Sequence, residues 1–465
     1  MGLRTADEYR NGLIDDRRIF YRGEQIENLL ENPELAIAVD HSALCYDLSY
    51  DNPTLAVCTS CGSAYSAFYH VPRSLDDLVR RGALIEEVSR RGAGTIVLKE
   101  VGSDALFALL RSCRGQGLEN AQAFYQRVID EDLAVAVAQT DVKGDRSKGP
   151  SAQADPDLYV RIVDSDRDSI TVRGAKTHTS FSANADEIIV LPTRAMGQDD
   201  EDYAISFAVP VATAGLTLYV SPYSSGATNP FEFPISSEHK LLESLTVFDD
   251  VRVPRDRMFL EREPRAAGQV ALSFVDYHRF TAINYKQPLL DLIVGAAYLI
   301  ADANGISKAG HVRDKLAKLV IWAETVRGVR DLAATRAFEG DQGVWLPDPL
   351  SVNIAKYTFA HGYHDAVAML IDLAGGLLVT GPGEEDWENK EIRAVLEKYY
   401  SAAVPAADRL RLLQLIAELT ARDYGGYQSV LATHAEGSIE AEKMQIGRSY
   451  DRRRATKYVQ QFLVD

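Results

Sequence analysis

Four cysteines among 465 residues are too few for a disulfide-stapled scaffold. Only Cys58 and Cys61 lie close together; Cys45 and Cys113 stand alone. A single CxxC in VCTSCGSAYS, with no second pair and no nearby His pair, does not complete a zinc site and predicts buried or free thiols. Positive charge is also short. Fifty Lys and Arg stand against 67 Asp and Glu, a formal −17, which excludes the basic face that nucleic acid requires but leaves room for a local phosphate pocket. No apolar run reaches the roughly 18 residues of a membrane span, and the opening MGLRTADEYRNGLIDDRR has no apolar leader. A cytoplasmic protein without membrane or nucleic-acid partners is therefore expected. There is no GxGxxG, no P-loop and no fixed-period repeat, so Rossmann, NTPase and solenoid readings fall away.

What is present is a chain of three textures, in keeping with a length that exceeds one ordinary core. Residues 5–30 carry Leu13, Ile14, Ile19 and Phe20 at helical spacing, and Asn32-Pro33 reads as a turn. Helices are predicted over Leu75–Val101, with Ser74 as N-cap, over Ala105–Leu110 and over Ala121–Asp132. From Leu133 to about Arg257 the pattern turns to β-branched alternation broken by Gly, Asp, Ser and Pro, as in antiparallel strands joined by loops. Helical periodicity then returns over Leu272–Asp302, His311–Ala337, Asn353–Leu373, Ala394–Tyr400, Arg409–Ala421 and Ala441–Phe462. The order predicts an α+β fold: a mainly helical domain over residues 1–132, a central antiparallel β domain over 133–268 and a helix bundle over 269–465.

Two polar loops of the β region are placed to close on one ligand. One carries Asp141, Lys143, Asp145, Arg146, Ser147 and Ser151; the other carries Lys176, Thr177, His178, Thr179 and Ser180. Cations and small hydroxyls are the groups that meet phosphates and other polar ligands. The plainer alternative is that these Ser and Thr cap one another and that Arg146 pairs with Asp145.

Longer strings add a resemblance. YHVPRSLDDLVRR, Asp145-Arg-Ser-Lys with Asp155-Pro-Asp-Leu, RGAKTHTSFSANADEI, EDYAISFAVPVATAGL, VFDDVRVPRDRMFL, GVWLPDP, YGGYQ and GRSYD span nearly the whole chain. In this order they resemble the family of 4-hydroxyphenylacetate 3-monooxygenase (oxygenase component) and 4-hydroxybutyryl-CoA dehydratase, within the acyl-CoA dehydrogenase-like flavoproteins. The resemblance implies a flavin, FAD or FMN, between β domain and bundle, held by Lys143, Asp145, Arg146, Ser151, Thr177, Thr179 and Ser180. It also implies a homotetramer built as a dimer of dimers.

The chain departs from both branches. Where the hydroxylases have Arg-Thr-Pro-Asp-Tyr-x-Asn-Ala to hold a phenol, this sequence reads Arg114-Gly-Gln-Gly-Leu118-Glu-Asn-Ala, and the position of their helping His is Val137. The dehydratase branch implies an iron–sulfur cluster on three Cys and one His; the matching positions are Leu109, Cys113, His278 and Tyr285, too few ligands for a cluster, so no metal is expected. The resulting expectation is a two-component monooxygenase. It would take reduced FAD from a separate reductase and oxygenate a small organic substrate, aromatic or from secondary metabolism, with O2 through a flavin C4a-(hydro)peroxide. Arg114 would clamp a carboxylate or carbonyl, His278 would exchange protons and Tyr285 would donate to an oxygen. The plainer readings are an Arg114–Glu119 pair, a hydrogen-bonded core His278 and a packed Tyr285, with Lys286 in a salt bridge or on a phosphate. The alternatives in function are a redox-neutral dehydratase or isomerase on an acyl-CoA and a non-catalytic flavin-binding subunit.

Overall fold

The computed structural model describes residues 2–60, 62–222, 226 and 229–463. Cys61, half of the CxxC, lies outside them. The first helix, Ala6–Gly12, is closed at its start by a capping box between Thr5 and Glu8. It does not run on to residue 30. Ile19–Tyr21 and Glu24–Ile26 form an antiparallel hairpin, turned by Arg22 and Gly23, both at positive φ. The apolar pair Ile19-Phe20 that suggested a helix instead places a strand alongside Leu216–Val220, in parallel. Asn32-Pro33 likewise opens a helix, Pro33–Asp51, because the Asn side chain accepts from the amides of Glu34 and Leu35 and Pro fits the first turn.

Strands from distant parts of the chain make a six-stranded sheet in the order Glu24–Ile26, Ile19–Tyr21, Leu216–Val220, Glu243–Pro254, Ser169–Ser180, Arg161–Ser165. A four-stranded sheet runs Met258–Leu260, Ser206–Pro210, Glu187–Val190, Val135–Ala138. Pairing is mostly antiparallel, as expected, but Val135–Ala138 pairs in parallel with Glu187–Val190.

The centre of the molecule is the helix Leu98–Ser112, nearly every residue of which is buried. The sequence placed its start inside a longer helix. Positive φ at Ala93 and Gly94 ends the preceding helix, Leu75–Arg91, and lets the chain restart. One face of the central helix presses on Val135–Ala138. A Cβ on Gly102 would stand 2.4 Å from the Val135 carbonyl oxygen, so only glycine allows the approach. Another face packs on the helix Pro264–Tyr285.

The bundle follows. The predicted single helix Leu272–Asp302 is two, Pro264–Tyr285 and Gln287–Ala303, broken at Lys286 because Pro288 supplies no amide to continue the ladder. Gly310–Thr335, Pro349–Ala374 and Ala406–Thr420 pack beside them. Asp423–His434 is a helix that its two glycines hid from the periodicity. Ala441–Phe462 is divided into Ile439–Ser449 and Arg452–Gln460. Among the described residues no helix is long and apolar enough to cross a membrane.

Candidate active site

Strand register brings the two polar loops together. Asp141 bridges to Lys176 across an isolated antiparallel pair, and the Thr177 amide donates to the Thr140 carbonyl at 3.0 Å. Lys176 is not a ligand group in this arrangement. Its buried ammonium lies 2.5 Å from Asp141 and 2.9 Å from each of the Gln139 and Leu191 carbonyls, so it acts as a strut. Lys143 and Arg146 are exposed on the first loop, and the charge of Lys143 adds to burial in lowering the pKa of His178. Asp145 accepts from the Ser147 amide and hydroxyl and pairs with Lys148 at 3.5 Å; Arg146 is not its partner. Ser151 donates to Asp200 from both its amide and its hydroxyl, at 3.0 and 2.7 Å.

The second stretch is not a loop as expected: residues 176–180 are the end of the strand Ser169–Ser180, paired with Glu243–Pro254, and that end is strained. His178 and Phe181 both adopt left-handed backbone, at φ 53° and 62°. Between them the Thr179 hydroxyl is buried with no hydrogen-bond partner, while Ser180 donates to both oxygens of Glu243 at 3.0 Å. Glu243 opposes Ser180 in the sheet and also accepts from Tyr427 at 2.7 Å. Burial pushes its carboxyl up to about 7 against those two neutral donors. Sequence reasoning missed Glu243; a single acid at a strand start carries no signal until the register is known.

A second cluster lies where Leu98–Ser112 meets Pro264–Tyr285. Asp104 accepts from Arg81 at 2.6 Å and from Thr281 at 2.8 Å, and its other oxygen sits 3.0 Å from His278 Nδ1. A carboxylate only accepts, so Nδ1 carries the proton and Nε2 presents its lone pair. Phe274 stacks on the same ring at 4.8 Å. Two turns further on, the Tyr285 hydroxyl donates to Glu436 at 2.5 Å, and Lys286 reaches both, at 2.8 and 3.0 Å. Lys356 stands 3.7 Å from Glu436 and 2.5 Å from Glu442. Burial works to raise Glu436, but Lys286, Lys356 and His278 hold it down at about 2; burial draws Lys286 down to about 8. Asp104 and Glu436 were not identified from sequence, because the partners that give them their place in the site, His278 and Tyr285, lie more than 140 positions away.

Arg114 lies apart from this cluster. Its guanidinium is 52 % exposed, 3.3 Å from Asp341, and caps the carbonyls of Arg111 and Cys113. No hydrogen bond or ion pair joins it to His278 among the described residues, and its ionic partner is Asp341, not Glu119. Arg111, one turn earlier, pairs with Asp276 at 2.9 Å. Val137 and Leu109 are buried, Leu118 is partly so, and burial pushes the Cys113 thiol up to about 12.

Comparison with known proteins places this geometry. Residues 5–260 match the model for the 4-hydroxyphenylacetate 3-hydroxylase N terminal region, and 267–464 match that for its C terminal region. The chain is 32% identical to the 4-hydroxybutyryl-CoA dehydratase/vinylacetyl-CoA-Delta-isomerase of Clostridium aminobutyricum, covering 96% of each chain. It is 28% identical to the oxygenase component of 4-hydroxyphenylacetate 3-monooxygenase from Thermus thermophilus, over 92% of this chain and 90% of that one. The solved structure of such an oxygenase component complexed with FAD superimposes with a TM-score of 0.93 at 26% identity, covering 99% of this chain and 98% of that one. Butyryl-CoA dehydrogenase of Megasphaera elsdenii shares the fold alone, with a TM-score of 0.50 at 16% identity over 90% and 88% of the two chains. Built on that acyl-CoA dehydrogenase-like fold, the chain belongs to the 4-hydroxyphenylacetate 3-hydroxylase family.

Proposed function

We propose that this protein is the oxygenase component of a two-component, reduced-flavin monooxygenase acting on a small organic molecule. FAD suits the polar loops. The buried, unpartnered Thr179 hydroxyl lies between two residues held in left-handed backbone, and Lys143 and Arg146 stand exposed on the adjoining loop. Thr177 and Thr179 would meet the ring edge and Lys143 and Arg146 the phosphates, while Asp145 and Ser151 shape the loop that carries them. Ser180 serves as the link to Glu243. When bound and reduced, the flavin supplies the electrons with which O2 is activated.

The protein's own groups orient the substrate, handle its protons and exclude water. Asp104 fixes the imidazole of His278 so that Nε2 takes a proton from a substrate oxygen. Phe274, Leu109 and Val137 supply apolar surface against water. The carbonyls of Arg111 and Cys113 hold Arg114 Nη1, while Nη2 is engaged by an exposed ion pair worth about 1 kcal/mol or less, so a substrate carboxylate can exchange with Asp341.

The observation that carries the choice of branch is Tyr285. The iron–sulfur cluster implied by the dehydratase resemblance does not fit these residues. One of its four positions is the apolar Leu109, and another is a tyrosine whose hydroxyl is engaged by Glu436 and Lys286. A redox-neutral reaction on an acyl-CoA is the second reading, favoured by the 32% identity to the dehydratase. A separate reductase, and a homotetramer covering the apolar side chains left exposed on the bundle, complete the proposal.

Incubation with reduced FAD, 18O2 and a panel of phenols and aromatic acids is expected to yield product carrying one labelled oxygen. Turnover of 4-hydroxybutyryl-CoA without oxygen, with no label incorporated in air, would transfer the assignment to the second reading.

A further inference from the structure

A cluster of reactive groups outside the flavin loops and the His278 surroundings gathers around Cys58. The hairpin Val57–Ser60/Ser63–Ser66 sets Cys58 opposite Tyr65 in register. The helix Leu75–Arg91, capped by Ser74, presents Asp77 in its first turn and Arg80 one turn later. His70 lies between these elements. Its Nε2 is 3.1 Å from Asp77 and its Nδ1 is 2.8 Å from the Tyr65 hydroxyl. Asp77 also accepts from the Arg73 amide at 2.9 Å, which fixes the carboxylate. Because the carboxylate only accepts, Nε2 carries the proton and the Nδ1 lone pair accepts from the Tyr65 hydroxyl; the Cys58 thiol, opposite Tyr65 in the hairpin, lies near enough to the ring to raise its pKa. Arg80 Nη1 stands 3.3 Å from the Cys58 sulfur. The Thr54, Leu55 and Val57 carbonyls grip its Nη2 at 3.1, 3.1 and 2.8 Å, so the guanidinium is held against the sulfur. A cavity of about 350 Å³, lined by Tyr65, His70, Arg73, Gln122 and Gln342 among others, adjoins the cluster.

We propose that Cys58, with His70 as its base, Asp77 orienting that base and Arg80 stabilising charge on sulfur, is a thiol site oxidised by hydrogen peroxide to the sulfenic acid. A thiol beside an imidazole that is itself held by a carboxylate is the arrangement of an activated sulfur nucleophile. His70 Nδ1 takes the thiol proton, and sulfur attacks one peroxide oxygen. The S–O bond forms as the O–O bond breaks; sulfur is oxidised by two electrons, and the departing hydroxide takes the proton from His70 to leave as water. With Cys58 only 8 % exposed, the site admits an oxidant the size of peroxide and excludes a bulky electrophile. Burial pushes the thiols of Cys45 and Cys113 up to about 12, so both serve as internal controls.

The test uses the full chain carrying Cys61→Ala, which removes the thiol three positions along the sequence that would capture a sulfenic acid. Timed treatment of the folded chain with hydrogen peroxide, then removal of the peroxide, unfolding in the presence of dimedone and peptide mapping, is expected to show Cys58 labelled on the order of tenfold faster than Cys45 or Cys113. His70→Asn and Arg80→Gln should each slow labelling by a similar factor with circular dichroism unchanged. Should Arg80→Gln fail to fold, Tyr65→Phe replaces it; by removing a competitor for Nδ1 it should leave the rate equal or higher. Cys58 reacting no faster than Cys113, or as fast in His70→Asn as in the parent, overturns the proposal.

Discussion

Glu243 sits in an environment that its neighbours in sequence do not suggest. Its carboxyl accepts from the neutral hydroxyls of Ser180 and Tyr427, and burial pushes it up to about 7 from its usual 4.5. A folded-state pKa above the unfolded one means that ionisation opposes folding. The cost is absent below about pH 4.5, grows between 4.5 and 7, and is complete above 7, on the order of 3 kcal/mol. Glu243→Gln is therefore expected to melt higher than the parent at pH 8, with the difference shrinking toward zero at pH 5. An unchanged difference across that range in thermal unfolding would show that the carboxyl is not the source. His278 illustrates the opposite case: legible as a candidate from its HRFT string, it gained a defined tautomer only when Asp104 came within 3.0 Å from another helix.

Among the elements, the helix Leu98–Ser112 sets the geometry of the site. It carries Asp104 and meets Val135–Ala138 through Gly102, two residues earlier. Gly102→Ala places a carbon 2.4 Å from the Val135 oxygen, so the helix must withdraw and Asp104 moves with it. The expected loss is about 1–3 kcal/mol in urea unfolding. Oxygenation should fall further than that instability accounts for at a temperature where the variant is folded; parallel losses would mean that the helix is only a support. The break at Lys286 works in the same way. Had the helix run on, as periodicity suggested, Tyr285 and Lys286 would sit mid-helix; ended by Pro288, it turns Lys286 onto Glu436.

The molecule as a whole leaves an apolar surface uncovered. The helix Arg452–Gln460 has no buried residue, and Tyr458, Phe462 and Leu463 beyond or within it are 64–75 % exposed. Such exposed apolar side chains are the kind that a second copy covers. If the proposed homotetramer is built through this helix, removing residues 451–465 lowers the mass measured by light scattering to that of a smaller species while helicity per residue holds. A truncated chain of undiminished subunit number would place the contacts elsewhere on the bundle, where Leu299 and Ile321 are also exposed.

The sequence by itself determined the layering and the chemistry on offer. Periodicity of 3.6 and of 2 marks which stretches bury one face, and the family strings identify the polar loops, because these signals are local. Tertiary structure alone decided which groups act on which. It turned Lys176 into a strut, sent Arg114 to Asp341 and brought Glu243, Glu436 and Asp104 to Ser180, Tyr285 and His278. Those pairings depend on strand register and helix breaks, which are fixed when the chain buries its apolar surface and satisfies its backbone, and leave no mark at short range.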